Sequence, residues 1–186
     1  MSANTRKSGS DLFCELLGII WQPAVEAHRF LASLEVHSLA ETCDALRQAG
    51  FEVAYVDFPD KVSGLATVIA CEPHILVNRA KPRAHQQYTV SHELGHHVLH
   101  VSPPTDSVVS AVPIEGLEEF QANMFASAWV MFLAKDKERE ELLRHNPELG
   151  FVVLLSVLMT AAILVAGLIA YLWERHHARL AEAARQ

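Results

Sequence analysis

Residues 151–173 form 23 consecutive uncharged positions, of which only Ser156, Thr160 and Gly167 fall outside the apolar class. Coiled into a helix, the run is roughly 34 Å long, enough to cross a hydrocarbon core of roughly 30 Å with some tilt. A core helix of a small domain needs a water-facing side, and this run offers none. The run is therefore expected to be a single transmembrane helix, with Tyr171 and Trp173 at the end where an aromatic belt would lie. Residues 1–149 must then supply the folded domain, and that length suffices for one hydrophobic core. Outside the run the hydrophobic fraction falls from 51% to about 46%, the usual range of a globular domain. Disordered, collagen-like and disulfide-scaffold classes are excluded.

Charge divides at the same place. Residues 1–149 carry 12 Lys/Arg and 20 Asp/Glu, a net of −8, whereas residues 150–186 carry +1. An acidic domain repels phosphate backbones, so no direct nucleic-acid contact is expected. Cys14, Cys43 and Cys71 are widely spaced, odd in number and without a C-x-x-C pair, which points to reduced thiols. Cys71 and His74 could be read as a metal pair, but a small apolar Cys beside a turn accounts for Cys71 better. The stretch Leu12–Trp21 is interrupted by Glu15 and has no small-residue cleavage site after it, so no signal peptide is expected. Lys135, Lys137, Arg139 and Arg144 precede the run and Arg175, Arg179 and Arg185 follow it. Four against three barely orients the span. Together with the missing signal peptide, it places a single-pass protein in the cell membrane with its N-terminal domain in the cytoplasm. Ala162, Ala166 and Ala170 recur at i+4 and would let two such helices pack as a weak homodimer.

The periodicity predicts an α+β domain. Residues 1–22 read as a flexible N-terminus and a short helix, and Pro23 to Val36 as a helix. Ser38 and Glu41 have capping-box spacing, and Gly50 closes the turn that follows. Phe51–Phe58, Gly64–Ala70 and Pro73–Asn78 read as three short strands. Ala84–His100 and Leu117–Leu133 read as helices, separated by a Pro-containing loop over 101–116. The domain is expected to span 23–134, followed by a charged linker at 135–150, the span and a polar tail at 174–186.

Chemistry concentrates in His92-Glu93-Leu94-Gly95-His96. Two histidines at i and i+4 project from one face of a helix, so both imidazoles can reach a single Zn²⁺. Glu93, one step round, is poorly placed to ligate and well placed to accept a proton from a water polarised at the ion. His100 lies roughly 12 Å along the axis from His92, too far to share the ion, and His97 points about 100° away from His96. Both are expected to pack or hydrogen-bond. A catalytic zinc commonly takes three protein ligands, and the next helix offers a carboxylate at Glu119 or Glu118. Asn123, four residues after Glu119, suits a hydrogen bond to the outer nitrogen of a ligand histidine. No residue declares itself an oxyanion stabiliser; Tyr88 and His97 are the nearest candidates.

The stretch from Ser63-Gly64-Leu65 through I-L-V-N to Y-T-V-S-H-E-L-G-H-H-V-L-H and E-F-Q-A-N-M-F-A resembles the ImmA/IrrE-type metallopeptidases, over about residues 25–130. The resemblance implies a zincin-like minimal core, a small three-stranded sheet packed with helices. It implies Zn²⁺ ligands at His92, His96 and Glu119, with Glu93 as general base and Asn123 behind a ligand. It also implies a protein substrate, since such enzymes typically cleave helix-turn-helix repressors. After F-A the family usually continues A-x-x-L-L-M-P; here Ser127 to Phe132 follow without proline, so substrate choice is the least transferable feature. The expectation is a membrane-anchored zinc endopeptidase. The alternative is a membrane-tethered regulatory or immunity-type binding protein with a structural or degenerate metal site.

Overall fold

The computed structural model describes residues 9–100, 110–111, 116–147 and 149–150, together with 154, 157, 158, 161, 165, 168, 169, 171–173 and 175. The order is α1 (Gly9–Leu34), α2 (Thr42–Gln48), β1 (Glu52–Val56), β2 (Gly64–Ile69), β3 (Glu72–Asn78), α3 (Arg83–Leu99), β4 (Ser110–Ala111), α4 (Leu117–Leu133) and α5 (Asp136–His145). This is an α+β chain.

Helix α1 runs through Pro23 rather than beginning there, so the expected break at residue 22 is absent. Proline costs the helix one backbone hydrogen bond. Burial of one face compensates: Pro23, Ala27 and Leu31 are buried, with Phe30 and Leu34 partly so, and this stripe packs on α4. Ser38 and Glu41 do not form a capping box. Glu41 is the cap residue of α2, and its carboxylate reaches back to accept the backbone N–H of His37 at 3.1 Å. Gly50 ends the turn after α2 at φ 89°, a conformation that suits glycine.

The sheet has the order β1-β3-β2-β4. Strand β3 pairs in parallel with β1, from Glu52 opposite His74 to Val56 opposite Asn78, and antiparallel with β2, from Gly64 opposite Val77 to Ile69 opposite Glu72. The β2–β3 hairpin turns on Ala70 and Cys71, whose φ values of 51° and 67° are those of a tight two-residue turn. The expected three strands gain a fourth, because Ser110 and Ala111, inside the segment expected to be a loop, pair with Val68 and Thr67. The rest of the 101–116 loop lies outside the described residues, apart from Gly116.

The core lies between the sheet and the helices. Ile75 and Val77 of β3, Leu94 of α3, and Phe125 and Trp129 of α4 are all fully buried. The segment expected to be a charged linker is helix α5, which packs on α3 through buried Leu142, and Leu149 beyond it is buried as well. Its charges occupy the outer face, and Glu138 accepts the backbone N–H of Lys135 at 2.9 Å to cap its start.

Among the described residues no helix is long and apolar enough to cross a membrane. Of the run expected to span, residues 154, 157, 158, 161, 165, 168, 169 and 171–173 are helical and exposed, and the others lie outside the described residues. Ala162, Ala166 and Ala170 are among those outside.

Candidate metal centre

Helices α3 and α4 meet at a glycine. A Cβ on Gly95 would stand 3.1 Å from the Phe125 Cβ and 3.2 Å from both the Cα and the carbonyl oxygen of Ala122. Gly95 therefore lets the α4 backbone approach one turn from His92 and directly beside His96. That closeness carries the Glu119 side chain to the two imidazoles. Its Oε2 lies 3.3 Å from His92 Nε2 and its Oε1 lies 3.6 Å from His96 Nε2. The two Nε2 atoms are 3.1 Å apart, with the rings edge to face. One ligand atom from each of His92, His96 and Glu119 falls within 4.8 Å of the others. Among the described residues no other group of this kind occurs. Cys71 and His74 form no such group, and Glu118 is not part of the cluster.

The hydrogen bonds behind the cluster determine which nitrogens face it. Asn123 Oδ1 can only accept, and it lies 2.9 Å from the Tyr88 hydroxyl, which donates to it, and 3.0 Å from His92 Nδ1. The proton of neutral His92 is therefore on Nδ1, and its Nε2 lone pair points at Glu119 and His96. Two imidazole lone pairs and a carboxylate aimed at one point repel one another unless a cation lies between them. This donor set fits Zn²⁺: nitrogen and oxygen atoms, three in number, with room for a fourth ligand. Among the described residues no hydrogen-bond partner meets His96 Nδ1, and the side chain is almost wholly buried.

Electrostatics follow the same layout. Without an ion, protonation of the two imidazoles lets them donate to Glu119, and those hydrogen bonds from His92 and His96 hold its carboxyl far below the ordinary carboxylate range. Burial drives the pKa of His92 down, but contact with Glu119 and the charge of Glu93 outweigh it and raise the value. Glu93 is only 7% exposed, and burial lifts its carboxyl above the ordinary range against the opposing pull of His92 and His96. A raised carboxyl is a stronger proton acceptor than an ordinary one, which suits a group that takes and returns a proton.

Glu93 lies against β2. A Cβ on Gly64 would stand 2.8 Å from Glu93 Oε1, 2.5 Å from the Thr89 Cγ2 and 3.0 Å from the Leu76 carbonyl oxygen. Gly64→Ala is therefore expected to cost about 1–3 kcal/mol of stability by overpacking. By displacing the carboxylate it should also lower any hydrolytic rate by on the order of 100-fold. Thermal unfolding and a turnover assay together check this; unchanged values in both would contradict the close approach.

Glu93, His92, Glu119, Tyr88 and Ser63 line one open cleft of ≈ 520 Å³. Lys61 and Val62 line the same cleft, and Asn78 behind them tethers their loop. That side chain is fully buried and donates to the carbonyls of Val62 (2.7 Å), Phe58 (3.3 Å) and Pro59 (3.4 Å), which fixes the loop ahead of β2. Sequence reasoning took Asn78 only as a strand end; a polar residue closing an apolar strand was the available signal. His97 lies away from the cleft. It donates from Nε2 to the His74 carbonyl at 2.9 Å and packs edge-on against Phe51. The His100 ring lies 5.7 Å from that of His96, tilted by 47°, and is not in the ligand group.

A glutamate-flanked histidine pair on one helix, completed by a carboxylate from the next, defines a metallopeptidase-like class of site. The chain matches the family model Peptidase_M78, the IrrE N-terminal-like domain, over residues 46–155, and it belongs to that family. No curated relative and no solved structure matches it. Family membership supports a possible zinc metallopeptidase-type function, and the His92–His96–Glu119 group is one that could hold the metal.

Proposed function

We propose that the chain is a membrane-anchored, zinc-dependent endopeptidase acting on a regulatory protein of the helix-turn-helix repressor type. The observation that carries the catalytic reading is the convergence of His92, His96 and Glu119 in an open cleft beside a buried carboxylate. A three-residue ligand set leaves a coordination position for solvent, whereas structural zinc is usually closed by four protein ligands. A bound divalent ion supplies Lewis acidity, which polarises a carbonyl and brings the pKa of a water toward roughly 7. Glu93 accepts the proton of the attacking water and delivers it to the nitrogen of the scissile bond. Glu119 and the imidazoles hold their positions through α3–α4 packing, and Asn123 and Tyr88 keep His92 in the ligating tautomer. Beyond Thr67 and Val68, which pair with β4, the outer edge of β2 pairs with no further strand among the described residues. An extended peptide added there would pass in front of Glu93.

Family membership supports the substrate class. The test is co-expression with a helix-turn-helix regulator encoded beside the gene. Regulator fragments should accumulate and disappear with a zinc chelator; a regulator that stays intact in the presence of zinc-loaded protein would contradict the assignment.

Composition and exposure support the anchor. The described side chains of the apolar run are exposed, with Val157 and Ile169 each 61% and Trp173 66% accessible, so the domain core does not cover them. Exposed apolar surface of that extent calls for a lipid or protein partner. The full chain should sediment with membranes and resist extraction by salt and alkaline carbonate, and deletion of residues 151–173 should release it. Recovery of the intact chain in the supernatant would rule the anchor out.

A further inference from the structure

Ser63 and His85 sit together in the same cleft, His85 on α3 two turns before His92. Ser63 Oγ lies 2.8 Å from His85 Nε2, and His85 Nδ1 lies 3.3 Å from the carbonyl oxygen of His145, at the end of α5. A carbonyl oxygen can only accept, so Nδ1 carries the proton of the neutral ring and Nε2 is a bare lone pair. That lone pair accepts the hydrogen bond that the Ser63 hydroxyl donates. The hydroxyl is thereby fixed as an acceptor toward the cleft, with its remaining lone pairs free of its own hydrogen. The backbone of Ser63 is pinned as well, since its carbonyl accepts the Asn78 N–H at 2.8 Å. Gly64, the next residue, is the one whose added Cβ would meet Glu93 Oε1. The Ser63 acceptor is thus held one residue from the carboxylate that returns the proton to the leaving nitrogen.

Peptide cleavage creates a need for such a group. As water adds to the carbonyl carbon, the scissile nitrogen becomes tetrahedral and takes a proton from Glu93, and the C–N bond then breaks to leave a primary amine. Its original N–H requires an acceptor throughout, and Glu93 is engaged in transfer. We infer that Ser63 Oγ accepts this N–H hydrogen bond, and that His85 is a positioning residue that directs the Ser63 proton away from substrate. Ser63 neither gains nor loses a proton in the step. The inference rests on the peptidase reading above.

The test uses the zinc-loaded full chain in detergent and two probes, the phosphonamidate and the phosphonate ester analogues of benzyloxycarbonyl-Gly-Leu-Leu. They differ only in an N–H or an O at the scissile position. The wild-type protein should bind the N–H probe about 10-fold or more tighter, the usual worth of one well-made hydrogen bond. Ser63→Ala should bring the two probes to equal affinity with zinc content unchanged, and Ser63→Thr should restore the difference. His85→Phe, which frees the hydroxyl to turn its proton toward the probe, should narrow the difference. His85→Gln, which keeps an acceptor, should preserve much of it. Equal binding by the wild type, or a difference that survives in Ser63→Ala, overturns the role of Ser63. Zinc content distinguishes this from failure of the underlying reading: a chain that takes up no zinc, or that takes it up and binds neither probe, removes the peptidase proposal and this inference with it.

Discussion

Replacing Glu93 by Gln is expected to leave zinc content unchanged while lowering peptide hydrolysis by roughly 10²–10⁴-fold, the range for removing a positioned general base. The two properties separate because Glu93 is not one of the three converging ligands. It lies beside them, buried, with its carboxyl raised by desolvation. Glutamine keeps the shape of the side chain and cannot accept a proton, so binding of an uncleaved peptide should survive. The check is a single-turnover assay paired with elemental analysis of the same preparation. Full activity in the variant would contradict the assigned role, and loss of zinc would mean that Glu93 holds the metal site together instead.

Trp129→Ala is expected to have the largest effect on stability, about 3–5 kcal/mol, as for other fully buried aromatic truncations. In a domain of this size that lowers the melting temperature by on the order of 10 °C. Trp129 has no exposed surface and lies against elements from three parts of the chain. Its ring stacks on Phe125 with centroids 5.9 Å apart and sits 6.3 Å from Phe30 of α1, while its Nε1 donates to Thr42 Oγ1 of α2 at 3.4 Å. Phe125 is also the residue whose Cβ faces Gly95. A cavity at Trp129 should therefore loosen the α3–α4 approach and weaken metal retention along with stability. Calorimetry of the apo and zinc-loaded forms checks both effects; a shift in melting temperature of only a degree or two would contradict this view of the core.

The sequence and the structure agree most closely where the governing rule is local. The i, i+4 pair His92 and His96 needs only helical periodicity, and strands β1 to β3 announce themselves through apolar runs bounded by turn residues. The choice between Glu118 and Glu119 was open because it depends on how α4 is rotated against α3. That rotation is fixed by the contact of Gly95 with Ala122, a meeting of residues 27 apart in sequence. Pro23 misled because a local helix-breaking tendency was outweighed by a buried face on α4. Helix α5 was hidden by its charges: Leu142 is the residue it buries, and ten residues with a single buried apolar position resemble a linker. The Ser63–His85 pair and the Asn78 tether were beyond reach for the same reason as Gly64, since each joins segments that only the folded chain brings together.

The most direct measurement of the central claim is X-ray absorption at the zinc edge on the full chain, combined with zinc stoichiometry in wild type, His96→Ala and Glu119→Ala. Convergence of His92, His96 and Glu119 predicts one zinc per chain with a shell of nitrogen and oxygen only. Two imidazoles should appear at about 2.0–2.1 Å, and metal should be lost in His96→Ala and strongly weakened in Glu119→Ala. A sulfur scatterer in the shell, or full zinc retention in both variants, would contradict it.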